Sequence, residues 1–280
     1  MLPTTTGTFT WHGHRLAYEI HGEKGVPCLL MHGILLDSLL NRSLAERFAR
    51  EGHRVVLLDL LGHGQSDKPL DPRELRVDFF AEQAVACLDH LGIDRAIVGG
   101  VSLGAITALQ FAVTAPERCL ALFIEMPVME QSTTVAALLF VPMITAVDFA
   151  APVVRAFAGV VRRIPRPPVG WLASFMNTAS LPPEVIKAVL HGVLVGPVVP
   201  ASRQRRAIRV PTLIIGHGYD RLHALSDAAV LAGEIPGAKL LEARSIAELR
   251  LSPERLWPEI AAFLRDVRAS AARPASLDVN

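Results

Sequence analysis

The chain has 280 residues with 28 basic and 27 acidic side chains, a formal net charge of +1, so no overall field gathers nucleic acid onto it, and a small, roughly neutral partner is expected. Its hydrophobic fraction of 51% and mean hydropathy of +0.35 are high for a protein in water. Yet the most apolar stretch, Val135 to Val161, is interrupted by Pro142, Asp148, Pro152 and Arg155; it does not offer the ~20 clean apolar residues of a bilayer span and reads as buried or interfacial helices.

Cys28, Cys87 and Cys119 lie in apolar segments without metal-ligand spacing, which predicts buried reduced thiols. The opening "MLPTTTGTFTW" lacks the pattern of a signal peptide, and the expected compartment is the cytoplasm.

Along the chain, "TFTW" and "RLAYEI" flank His12-Gly13-His14 and predict a hairpin. "VPCLLMHG" is a buried strand, Ser38 to Glu51 a helix with Leu40, Leu44, Phe48 and Ala49 on one face, and "HRVVLLDL" the next strand. "FFAEQAVACLDHLG" is a helix stopped by Gly92, followed by the strand "RAIVGGVS", the helix "LGAITALQFAVTA" and the strand "CLALFIEMP". Between residues 128 and 206 the alternation lapses into apolar helices punctuated by prolines. It resumes with "VPTLIIGHG", a helix from Ser226, the strand "AKLLEA" and the helix "PERLWPEIAAFLRDV". Short apolar runs alternating with helices predict an α/β fold: a mostly parallel twisted sheet of about eight strands with helices on both faces. Residues 1–127 and 207–269 form the expected core, 128–206 an inserted helical lid over the carboxyl ends of the strands, and 270–280 a loosely held tail. "RQRR", Arg203 to Arg206, is expected to be a solvated lid edge.

Gly100-Val101-Ser102-Leu103-Gly104 sits between a buried strand and a helix, where a sharp turn projects a serine hydroxyl above the sheet. A serine nucleophile requires donors for the oxyanion formed on attack; the N–H groups of Leu103 and of Ile34 are the natural pair. His32 is expected to hold its turn by hydrogen bonds, with a role in proton transfer as the alternative.

"LLMHGILLD", "VVLLDLLGHGQSDKP" and "IVGGVSLGA", in this order, resemble the α/β-hydrolase superfamily, and in particular its small lidded esterase-like members. The resemblance implies the fold and a catalytic acid after the first core strand beyond the lid, where Asp220 stands; Glu125, ending an earlier strand, could reach the same cleft. It also implies a histidine in the loop after the last strand. Alignment of the Pro-Glu pair in "SPERLWPEI" puts Ile246 or its neighbour Ser245 at that place, and no histidine follows His223.

Three explanations are open. The base may have moved to His223, with His217, His63 and His191 as weaker candidates; hydrogen-bond reach rather than chain order decides such a role. The site may bind an apolar small molecule with little or no turnover. Or it may run a non-hydrolytic reaction that needs positioning and an oxyanion hole. The reading favoured is hydrolysis of a small or medium apolar ester, or a related acyl bond, through acyl-Ser102, with Asp220 and His223 completing the site. No cofactor, metal, nucleic acid or membrane span is expected, and the state is monomer or homodimer.

Overall fold

The computed structural model describes residues 3–218 and 223–272, apart from the side chains of Thr133 and Thr134. Eight strands form one sheet: β1 (Thr4–Trp11), β2 (His14–His21), β3 (Val26–Met31), β4 (His53–Asp59), β5 (Ala96–Val101), β6 (Cys119–Glu125), β7 (Thr212–His217) and β8 (Lys239–Ala243). Their order is β1-β2-β4-β3-β5-β6-β7-β8. The first hairpin is antiparallel, and β2 pairs antiparallel with β4. From β4 onward every pairing is parallel. Parallel strands covered on both faces need continuous apolar runs, and β5 and β7 are buried at every position.

Helices α1 (Arg42–Arg50), α2 (Val77–His90) and α3 (Leu103–Thr114) connect the first six strands. The expected helix over 38–51 divides into a 3-10 turn at Ser38–Asn41 and α1. Asp37 takes the Leu39 N–H into its carboxylate and caps the tighter turn.

Five helices separate β6 from β7: α4 (Glu130–Phe149), α5 (Ala151–Arg162), α6 (Gly170–Ala179), α7 (Pro183–Val195) and α8 (Ser202–Arg205). Contrary to the expectation from sequence, Pro142 does not interrupt the first of them: α4 runs through it for 20 residues. Among the described residues α4 is long and apolar enough to cross a bilayer by length and composition, with 19% of its apolar window buried. The chain closes with α9 (Leu225–Glu234), the short α10 (Glu248–Leu251) and α11 (Trp257–Ala271). The last helix continues past residue 269 to Ala271, and residues 273–280 of the expected tail lie outside the described residues. Cys28, Cys87 and Cys119 are free and buried, and burial pushes the Cys87 thiol up to about 12.

The expected solvated edge at 203–206 is corrected at Arg205, whose side chain is 1% exposed. Its Nε donates to Glu234 at 2.5 Å, and Nη1 donates to Glu130 at 2.9 Å and to the Pro200 carbonyl at 2.6 Å. A guanidinium can be buried when its fork is met by carboxylates on two sides. The ion cluster joins the beginning and end of the insertion to α9. Arg205→Ala is therefore expected to lower unfolding free energy by about 3 kcal/mol in urea titrations, because Glu234 would be left buried without its charge partner.

Candidate active site

Ser102 sits between β5 and α3 with φ 55° and ψ −108°, a conformation that costs a non-glycine residue about 1–3 kcal/mol. The bend is held from below: the Ser102 N–H donates to the Glu125 carbonyl at 2.9 Å, and the Ser102 carbonyl accepts from the Ile106 N–H at 3.1 Å. Glycine is required on both sides. A Cβ on Gly100 would lie 2.4 Å from the Met31 carbonyl oxygen, and one on Gly104 would lie 2.3 Å from the same atom. Only bare backbone lets the strand and helix close over β3 and lift the hydroxyl into the cleft.

A histidine ring stands opposite: His223 Nε2 is 2.8 Å from Ser102 Oγ. This ring comes from the loop after β7, not from the loop after β8. Its support is drawn from the insertion. The Ala224 N–H donates to Ser132 Oγ at 3.2 Å, and the buried Asp227 carboxylate accepts from the N–H groups of Met129 and Ser132 at 3.0 and 2.9 Å. Asp227 thus closes the amino end of α4 from a different helix. Asp220 lies outside the described residues.

Ile34 lines both cavities that Ser102 and His223 line, and Leu103 the narrower of them; Leu103 opens α3, where the first N–H groups have no intrahelical acceptor. His32 is a structural residue, as expected. The Leu60 N–H donates to its Nε2 at 3.1 Å, so Nδ1 carries the proton and donates to the Gly33 carbonyl at 2.8 Å. His63 is buried with Nδ1 2.9 Å from the Leu61 carbonyl; burial, reinforced by the neighbouring His32, holds it well below the usual histidine range. His191 is exposed on α7 and lines a separate surface depression.

Glu125 and His217 belong to a buried cluster beside the cleft. His217 Nδ1 donates to the Ser245 carbonyl at 2.9 Å, while its Nε2 is 3.6 Å from Glu125 Oε1, beyond hydrogen-bond range. The partner of Glu125 is Arg250, which sequence reasoning missed; the Arg250 Nη1 donates to Glu125 and Nη2 to Asn41 Oδ1 at 2.8 Å. A carboxylate ending a buried strand signals that a cation must be near, but not which one. Burial, the largest single influence, would raise the Glu125 carboxyl, but the Arg250 guanidinium and the neighbouring His217 together outweigh it, so the group titrates below the usual carboxylate range. Ile246 and Arg250 both line the cavity at the place where the family resemblance puts a histidine. Among the described residues no cluster of three or more His, Cys, Asp or Glu side chains forms a metal-ion site.

Ser102 faces two spaces. The narrow one, about 40 Å³, is walled by Ile106, Val128, Phe140, Val193 and Val198. The wider one, about 380 Å³, is walled by Leu36, Leu40, Val101, Met126, Trp171 and Phe175, with Glu125 and Arg250 as its charged members. Residues of α4, α6 and α7 contribute to these walls, so the insertion covers the end of the sheet at which the hydroxyl emerges.

The model of the alpha/beta hydrolase fold matches residues 26–183, more than half of the chain. The chain belongs to this family. Among curated proteins it is 41% identical over 102 residues to the dihydrolipoyllysine-residue acetyltransferase component of the acetoin cleaving system of Pseudomonas putida, a match over 36% of this chain and 26% of that one. It is 31% identical over 111 residues to 3-oxoadipate enol-lactonase 2 of Acinetobacter baylyi, over 40% of this chain and 41% of that one. The chain thus spans well under half the length of these relatives. Among solved structures the enol-lactonase from Burkholderia xenovorans LB400 superposes with a TM-score of 0.74 over 92% of this chain and 100% of that one, at 18% identity, a likeness of fold.

Glu125→Gln is expected to cost about 3 kcal/mol at neutral pH, since Arg250 would keep a buried charge without its counter-ion. The folded carboxyl titrates below its unfolded value, so the contribution is complete above about pH 4.5 and is lost as the pH falls through the lower folded value. Urea titrations of both proteins between pH 7 and pH 3 should show the difference shrinking only at the acid end.

Proposed function

We propose that this protein is a serine hydrolase that cleaves small or medium apolar carboxylic esters, or related acyl bonds such as lactones, with His223 as its base. The observation that carries the reading is the 2.8 Å separation of His223 Nε2 and Ser102 Oγ. Residues 128–206 act as the lid, and Asp220 is assigned as the carboxylate that orients the ring. Buried free thiols suit a reducing cytoplasm.

In the first step the Ser102 proton passes to His223 Nε2 as Oγ bonds to the carbonyl carbon, and the carbonyl electron pair moves onto oxygen. The N–H groups of Ile34 and Leu103 receive that oxyanion. Collapse breaks the carbon–oxygen bond to the leaving alcohol, which takes the proton from His223 and leaves acyl-Ser102. A water then gives a proton to His223 and adds to the acyl carbon. Expulsion of Ser102, reprotonated by the ring, releases the acid.

The unequal spaces beside Ser102 favour an ester with one short arm and one larger apolar arm. The family relationship and the enol-lactonase relative support acyl chemistry of this kind. Glu125 is excluded from proton transfer by its pairing with Arg250.

A fluorophosphonate probe is expected to label Ser102, and His223→Ala to reduce kcat for p-nitrophenyl esters about 10⁴-fold or more. Retention of turnover within tenfold in that variant would remove the base from the ring at 223. A complementary outcome is expected for Ile246→His. Because the proton acceptor is already supplied from the other side, turnover should stay within about twofold of the parent, whereas a large gain would show that the site lacks a working base.

A further inference from the structure

The outer surface of the insertion has the wrong polarity for a face that meets only water. On α5 the buried residues are Ala158 and Val161, while Val153, Phe157 and Val160 are exposed, and exposed Ile164 follows directly. Steps of four, three and four residues place the exposed set in one stripe along a helix. α4 adds Leu138, 71% exposed, and ends at Phe149, 95% exposed. The opposite side of α4 is packed through Ala136 and Phe140 against Leu190 of α7, which leaves α4 lying along the protein rather than standing away from it.

Charge accompanies this apolar face. Residues 128–206 contain eight basic and three acidic side chains, a balance of +5, so the remainder of the +1 chain carries −4. Arg162, Arg163 and Arg166 cluster where α5 ends. Arg162 donates to the Ala158 carbonyl, and Arg166 to the Val161 and Ile164 carbonyls and to Asn177. No carboxylate pairs with any of the three among the described residues, whereas Arg155 is paired with Glu184 and Lys187 with Asp148.

We propose that this face docks on a membrane surface bearing anionic lipid. α5 lies in the plane of the interface, its apolar stripe enters the headgroup–acyl boundary, and Arg162 and Arg163 meet lipid phosphates, while Arg166 is held by Val161, Ile164, Asn177 and Ser180. The charges select this occupant over a second copy of the chain. In a twofold contact the same face would meet itself, and arginines without acidic partners would be pressed towards one another. The proposal is independent of the reaction at Ser102, because none of these residues lines its cavities.

The test is flotation of the full chain with unilamellar vesicles of phosphatidylcholine alone or with about 30% phosphatidylglycerol, at low and high salt. Binding to the anionic vesicles should exceed that to phosphatidylcholine by about twenty-five-fold, given roughly fivefold for each of the two arginines near a charged surface, and should weaken as salt rises. The pair Phe157→Ser/Val160→Ser should reduce binding to both vesicle types at least tenfold, while the pair Arg162→Glu/Arg163→Glu should remove the preference for the anionic one. Both pairs are exposed, and unchanged thermal melting and soluble-ester hydrolysis would show that the fold is intact. Equal partitioning of parent and variants, or no binding to anionic vesicles, would overturn the proposal. So would a stable dimer in light scattering that is dissociated by Phe157→Ser/Val160→Ser, which would assign the face to a second copy instead.

Discussion

The arrangement rests on one steric constraint: the backbone at Ser102 must turn sharply between β5 and α3 while almost touching β3. Gly100 and Gly104 each leave room for the Met31 carbonyl where a methyl would collide with it. The left-handed φ at Ser102 is tolerated because hydrogen bonds to Glu125 and from Ile106 fix the peptides on both sides. That bend sets the height of the hydroxyl and the direction of the first amides of α3 together. The floor of the cleft and the surroundings of the hydroxyl are defined from this point.

With the Ser102 hydroxyl fixed, an imidazole can reach it from any loop that ends nearby. Here the loop following β7 supplies His223, and the loop following β8 contributes apolar and cationic wall instead, through Ile246, Leu251 and Arg250. Glu125 and Arg250 neutralise each other in a buried setting, and Asn41 takes a second guanidinium nitrogen. The wide space beside Ser102 therefore remains mostly apolar although two ionised groups border it.

Much of this was legible in the sequence where the signal is local. Strands β3 to β7 carry short apolar runs, and glycines two residues either side of Ser102 mark the bend, so most of the sheet and the turn at Ser102 follow from neighbouring residues alone. His223 was a candidate because no later histidine exists, but its direction towards Ser102 depends on contacts with Ser132, far away in the chain. Charge pairing was the least legible feature. Arg205 looks like part of a solvated basic run until Glu234 and Glu130 are brought beside it. Arg250 looks like one arginine of a surface helix until Glu125 is found facing it. The uninterrupted course of α4 through Pro142 was likewise hidden, because composition marks a helix breaker without revealing that the surrounding turns hold the helix together.

The hydrogen bond from Ala224 to Ser132 joins the peptide next to His223 to the first turn of α4. Asp227 ties the same two segments a turn further on. Swinging the amino end of α4 outward to admit a bulky guest would thus drag on the peptide next to His223 and draw its ring off the hydroxyl. The alignment of the ring with the hydroxyl is thus written into two hydrogen-bonded seams to α4 rather than into the two side chains themselves.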